Sequence, residues 1–380
     1  MFKAMVSGFP PSPHRPGKIP GSLATAPGTM PGASFAARVG AAPAVGYDGN
    51  PRYSRRASYA ALDLGTNNCR LLVAKPSGDS FIVVDAFSRI VRLGEGLASS
   101  GRISDAAIDR ALAALTICAD KLRRRHVALA RSVATEACRQ ASNGKEFIDR
   151  VYRETGIALD VISAEEEARL AVLGCHILLE PGEGPALIFD IGGGSTELVL
   201  VDASGDAPKI LDWQSVPWGV VSLTEVESFD RSSEQERMSS YQRMRARVSE
   251  AFRPFAERVG RPPEGAARLL GTSGTVTTLA SLHLELPAYD RSAIDGLIVP
   301  ATSMRAISAR LAALSMPERI ALPCIGRERA DLVVAGCAIL ESILDIWPAE
   351  RLGVADRGIR EGILRSLMAK ELRARRAHRQ

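Results

Sequence analysis

The chain has 380 residues, 46% of them hydrophobic and 24% charged, with a formal net charge of +5. That length exceeds a single core and makes two domains the default; no apolar run approaches the roughly 18 residues of a membrane span, and none follows Lys3 as a secretion signal would require. Six cysteines (Cys69, Cys118, Cys138, Cys175, Cys324, Cys337) form no C-x-x-C pair and the five histidines make no cluster with them, so reduced core thiols in a cytoplasm are expected and a zinc site is not.

The basic excess lies at the ends. Residues 1–58 carry seven Lys/Arg against Asp48, and residues 365–380 carry six against Glu371, which leaves the body, 59–364, acidic. Solvated tails are the common meaning of such runs, and no nucleic-acid partner is expected. An acidic body that handled phosphates would need metal ions and backbone N–H groups to receive the charge.

Residues 1–57 are rich in Pro, Gly, Ala and Ser without hydrophobic period and read as a disordered basic leader, either a transit-like segment or an over-extended start. Strands are expected at 58–63, 69–75 and 81–90. A helix from Ser104 through Leu122 follows, with Ile108, Leu112, Leu115 and Leu122 inward, then a strand near 131–135. Next comes an acidic-headed helix, Ser163-Ala164-Glu165-Glu166-Glu167-Ala168-Arg169-Leu170. A second round begins with strands at 186–191 and 197–202 and continues with a long polar helix at about 232–257, a strand at 267–271 and another helix. This is an α/β pattern with mixed sheets. The rounds repeat each other: Leu62-Asp63-Leu64-Gly65-Thr66-Asn67 and Phe189-Asp190-Ile191-Gly192-Gly193-Gly194-Ser195-Thr196 each end an apolar strand in Asp, turn tightly and return. Two similar lobes across a cleft are implied.

Glycine turns let several N–H groups converge on one anion. Gly192, Gly193, Gly194, Ser195 and Thr196 form one such turn, Gly65, Thr66 and Asn67 a second. The stretch Gly271-Thr272-Ser273-Gly274-Thr275 opens a helix, where free N–H groups and the dipole favour an anion; it lacks the Walker ending. Asp190 and Glu197 flank a hairpin and suit a hard cation such as Mg²⁺, or else serve as a turn-bonding Asp and an exposed strand Glu. In the acidic triplet, Ser163 and Glu166 fit a capping box, Glu165 falls toward Arg169, and Glu167 sits amid Leu170, Ala171 and Gly174, on the face the helix should bury. A carboxylate there needs a reason.

These strings, together with Ala335-Gly336-Cys337-Ala338-Ile339-Leu340, resemble the actin, chaperone ATPase and sugar-kinase superfamily. Within it, Ala134-Thr135-Glu136-Ala137-Cys138-Arg139, the Ser163–Leu170 run and Asp356-Arg357-Gly358-Ile359-Arg360-Glu361-Gly362 resemble the exopolyphosphatase/guanosine pentaphosphate phosphohydrolase (Ppx/GppA) family, from about 58 to 370. The resemblance implies two ribonuclease H-like (actin-like) lobes, 58–183 and 184–358, with a C-terminal helix over 359–377 returning to the first and the active-site cleft between them. It implies Glu167 as the catalytic glutamate, Asp190, Glu197 and Asp63 as acids for Mg²⁺ or Mn²⁺, the glycine loops as phosphate cradles and Arg139 as a basic residue near the phosphates. The substrate it implies is inorganic polyphosphate or guanosine pentaphosphate, and the assembly a homodimer. Ala164 stands where the family usually has Gly, and the helical C-terminal region of longer members is not expected here. A sugar or acid kinase, and a non-hydrolysing alarmone sensor or actin-like module, share the loops; an inward Glu167 favours hydrolysis.

Overall fold

The computed structural model describes residues 57–377 apart from 79, 206–207, 228–232 and 263–264, with backbone alone for 370–377. Residues 1–56 of the expected leader lie outside the described residues. The first half runs β1 (Ser58–Leu64), β2 (Asn68–Ser77), β3 (Ser80–Ile90), α1 (Leu97–Ser100), α2 (Asp105–Arg124), β4 (Val127–Ala134), α3 (Glu136–Gln140), α4 (Gly144–Thr155), β5 (Leu159–Val161) and α5 (Ala164–Cys175). The second runs β6 (Ala186–Ile191), β7 (Thr196–Asp202), β8 (Lys209–Val216), α6 (Val220–Val226), α7 (Glu234–Val259), β9 (Arg268–Thr272), α8 (Gly274–His283), α9 (Arg291–Ile294), β10 (Ile298–Pro300), α10 (Ala301–Ala313), α11 (Met316–Ala321), α12 (Val333–Ile346), β11 (Arg351–Ala355) and α13 (Ile359–Ala377).

Two mixed sheets result, ordered β3-β2-β1-β4-β5 and β10-β11-β9-β6-β7-β8. In the first, β1, β2 and β3 are antiparallel neighbours while β4 and β5 continue parallel to β1. In the second, β6, β7 and β8 repeat the antiparallel meander and β9 and β11 the parallel continuation, with β10 added at the edge. The repeat in the sequence is thus a repeat of strand order. β4 starts at Val127, ahead of the expected 131. Strand β8, with half-buried polar residues in Lys209-Ile210-Leu211-Asp212-Trp213-Gln214-Ser215, has no clean alternation and was legible only through its pairing with β7.

Helix α5 holds the two sheets together. Its Leu170 and Ala171 join a core with Tyr59, Ala61 and Leu72 of the first sheet and Ile363, Leu364 and Leu367 of α13. Its Ala168, Val172 and Cys175 join another with Ala186, Ile188 and Val199 of the second sheet. Small residues let both partners approach: a Cβ on Gly174 would collide with the Gly358 carbonyl, and one on Gly362 with the Leu170 carbonyl. Buried on two sides, α5 has one end left, and that end carries the acidic triplet.

Candidate active site

Ser163 caps α5 as its sequence requires, Oγ accepting from the Glu166 N–H at 3.2 Å. The reciprocal half of the box does not form. The Glu166 carboxylate instead takes Arg131 at 2.7 Å and Arg169 at 2.7 Å, because two guanidiniums within reach outbid a single exposed N–H. Glu165 is exposed, whereas Glu167 is 7% exposed. The helix presents that one carboxylate to a cleft of about 130 Å³.

The cleft lies where the β1–β2 and β6–β7 hairpins meet. Asp63, Gly65, Thr66, Asn67, Glu167, Asp190, Gly192, Gly193, Gly194, Ser195, Ser273, Gly274 and Thr275 all line it. The hairpin turns are built alike, with Gly65 N–H donating to Asn68 O at 2.9 Å and Gly192 N–H to Ser195 O at 2.9 Å. They also press on each other, since a Cβ on Gly193 would sit 3.0 Å from Asn67 N and one on Gly194 2.7 Å from Thr66 Oγ1, with Glu136 Cγ of α3 at 3.1 Å beside it. Among the described residues no backbone carbonyl takes the N–H groups of Thr66, Asn67, Gly193, Gly194 or Gly274. Unpaired N–H groups at adjacent turns and at the start of α8 suit an anion. Ser273 holds that start open at φ 154°, and its Oγ accepts from Thr275 and Val276 N–H.

Four of the expected residues stand outside this lining. Thr196 is buried and its Oγ1 donates to Trp218 O at 2.7 Å, a tie within the lobe. Gly271 is inside β9, flanked by β6 and β11, where a Cβ would strike the Phe189 ring; packing explains this glycine, and the anion-facing part of its loop begins at Ser273. Glu197 lies beneath the floor, 2% exposed and accepting from Ser215 Oγ at 2.8 Å. Arg139 stands behind the wall and is ion-paired with Glu136 and with Glu167, the latter at 2.8 Å.

The carboxylates of the floor raise one another's proton affinity. Burial, then the Glu197 charge, push Glu167 well above the ordinary carboxylate value, with Arg139 opposing. Burial and the Glu167 charge raise Asp190 to about 7, and burial and the Asp190 charge raise Glu197 to about 7. Burial also raises Asp63, against the pull of Arg70. Among the described residues its Oδ1 is buried without a partner, as is Asn67 Oδ1. Among the described residues no three His, Cys, Asp or Glu side chains gather into a complete cage. Mutually repelling carboxylates with an orphaned oxygen nonetheless fit a hard divalent ion whose remaining ligands are phosphate oxygens and water.

Several lining residues had no clear signal in the sequence. Arg70 is directly opposite Asp63 in the β1–β2 register, a pairing that the hairpin repeat could have exposed. Arg329, which lines the cleft and donates to Thr278 Oγ1 at 3.1 Å, comes from the segment before α12 and belongs to no motif. Neither arginine is ion-paired among the described residues. The Asp356–Gly362 string fastens the entry of α13: Arg357 pairs with Asp295 at 2.6 Å, Glu361 accepts from Gly358 N–H at 2.9 Å, and Ile359 reaches the cleft.

Two ribonuclease H-like lobes with facing glycine hairpins define the actin-like class of phosphate-handling folds. Within that class, the chain belongs to the Ppx/GppA phosphatase family, whose model matches residues 72–371. It is 33% identical over 322 residues to exopolyphosphatase 2 of Mycobacterium tuberculosis, covering 81% of this chain and 98% of that protein. A crystal structure of the Aquifex aeolicus family member is 29% identical with a TM-score of 0.66, covering 83% of this chain and 98% of that one. An exopolyphosphatase from Cytophaga hutchinsonii is 26% identical with a TM-score of 0.71 over 82% and 98%. The chain is accordingly a hydrolase, a phosphatase of the phosphoanhydride class. No helix among the described residues is long and apolar enough to cross a membrane.

Proposed function

We propose that the chain is a cytoplasmic exopolyphosphatase that removes orthophosphate from the end of inorganic polyphosphate. The observation that carries this reading is one cleft in which unpaired N–H groups from both hairpins face the buried carboxylate of Glu167. The names of its relatives point the same way. The terminal phosphate binds to the N–H groups of Thr66, Asn67, Gly193, Gly194 and Gly274. Arg70 and Arg329, both lining the cleft, compensate the charge of the phosphates.

Asp190 and Asp63, with Glu197 behind, would hold Mg²⁺ or Mn²⁺, which when bound neutralises phosphate charge and that of the acids. Glu167 orients a water in line with the terminal phosphorus and takes its proton as the new P–O bond forms. The bridging P–O bond breaks, and the shortened polymer leaves with the electron pair. Burial raises the proton affinity of Glu167 above the ordinary carboxylate value, which makes it the stronger base. Guanosine pentaphosphate, which ends in a comparable phosphoanhydride, is the alternative substrate, and a homodimer the expected assembly.

Phosphate release should be measured on purified protein with polyphosphate, guanosine pentaphosphate and ATP. The polyphosphate ladder should shorten gradually from full length as orthophosphate accumulates. Early mid-length fragments would mean internal cleavage, and turnover of guanosine pentaphosphate alone would transfer the reading to the alternative substrate.

A further inference from the structure

Arg139 is an arginine with almost nothing left to give. Nε and Nη2 both donate to Glu136 Oε2, at 2.8 and 2.5 Å, while Nη1 donates to Glu167 Oε2 at 2.8 Å and to the Ile162 carbonyl at 2.8 Å. Four of its five N–H donors are committed. Glu136 and Glu167 line the cleft and Arg139 does not. To touch a phosphate the guanidinium would have to abandon the buried carboxylate of Glu167 and the half-buried one of Glu136, and these would then face the incoming anion uncompensated. Glu167 Oε1, by contrast, accepts nothing from the described residues.

We propose that Arg139 is a positioning residue for Glu167 and not a phosphate ligand. It ties Oε2 to the end of β5 through Ile162 and to α3 through Glu136, so that Oε1 is the oxygen presented to the attacking water. It also neutralises the wall that Glu136 forms against Gly194, so a phosphate can approach that turn. The four groups lie on three separate segments: Glu136 and Arg139 on α3, Ile162 just past β5, and Glu167 on α5. The guanidinium joins all three through its own hydrogen bonds. This deepens the proposed function and takes from it the role of Glu167 as base.

A double-mutant cycle tests the assignment. Arg139→Lys keeps the charge and loses the fork that holds two carboxylates at once. In the otherwise native chain it should lower kcat by about 10–100-fold, the cost of a misplaced base, with KM within about twofold. In the Glu167→Gln background the same change should cost little more, since the group it positions no longer takes a proton. Glu136→Gln, which loosens Arg139 from the other side, should lower kcat in the same sense by a smaller factor. A KM that rises with kcat preserved, or losses that multiply across the cycle, would overturn the proposal.

A binding arm needs no turnover. The dissociation constant for tripolyphosphate should agree within about twofold between Glu167→Gln and Glu167→Gln/Arg139→Lys. A tenfold weakening would make Arg139 a phosphate ligand, whether or not the native chain degrades polyphosphate; failure of the native chain to release phosphate from any phosphoanhydride would instead overturn the proposed function.

Discussion

The β1–β2 and β6–β7 hairpins are the same device with opposite charge at one register position. Each carries an acid at the last position but one of its first strand, closes with the same glycine N–H bond, and faces the cleft with N–H groups that no backbone carbonyl among the described residues takes. Opposite Asp63 in the register stands Arg70; opposite Asp190 stands Glu197. The first hairpin therefore carries its own countercharge, and Arg70 pulls down the proton affinity that burial gives Asp63. The second sets acid against acid in a dry site, and both members rise to about 7. In the proposed reaction the first hairpin would therefore meet an anion directly and the second would meet it through a cation.

Ways to break that comparison follow, beginning with the group both hairpins face. Glu167→Gln removes the base and keeps the shape, so phosphate release should fall by roughly 10²–10⁴-fold while polyphosphate binding persists. Retained turnover would move the base to one of the hairpin acids. Asp190→Asn should cost about 10²–10³-fold, the range for losing electrostatic stabilisation in a closed site, and should weaken the response to added Mg²⁺. Asp63→Asn should cost less, because Arg70 already balances that acid; equal losses in the two variants would erase the distinction. Arg70→Gln should raise KM by about tenfold with little change in kcat, as expected of a group that binds substrate and transition state alike.

Stability sharpens the same contrast. With chelator present, the folded protein holds protons on Asp190 and Glu197 that an unfolded chain releases above its ordinary carboxylate values of 3.8 and 4.5. The folded state binds more protons between about pH 4 and pH 7, so this contribution is full below that window and is lost as pH rises through it. Melting in chelator should therefore occur at lower temperature at pH 8 than at pH 5.5, and added Mg²⁺ should raise the melting point more at pH 8. Equal Mg²⁺ effects at both values would mean that the acids do not meet the ion.

The smallest effects belong to the rest of the triplet. Glu166→Gln should leave turnover unchanged and cost about 1 kcal/mol or less, since its pairs with Arg131 and Arg169 are only partly shielded. Glu165→Gln should be silent in both assays. Loss of turnover in either variant would mean that α5 needs its whole acidic head.

Local chemistry was legible in the chain wherever a residue type is scarce for physical reasons. Glycines at 192–194, an Asp ending each of two apolar strands, and a carboxylate among Leu170, Ala171 and Gly174 each violate the local expectation, and each lies at or beneath the cleft. The strand repeat was equally visible because period-two hydrophobicity and turn residues are short-range signals. What tertiary structure decided was which groups share a charge environment. Arg139 looked like a cation for phosphate, and the fold gave it two carboxylates from separate segments. Gly271 looked like part of a phosphate loop and is a packing glycine under Phe189. Glu166 looked like a cap and became an ion pair with Arg131, 35 residues away. Arg329 carried no signal and lines the cleft. A sequence determines which residues are unusual where they stand; only the packing of distant segments determines what each of them faces, because charge and burial act through space and not along the chain.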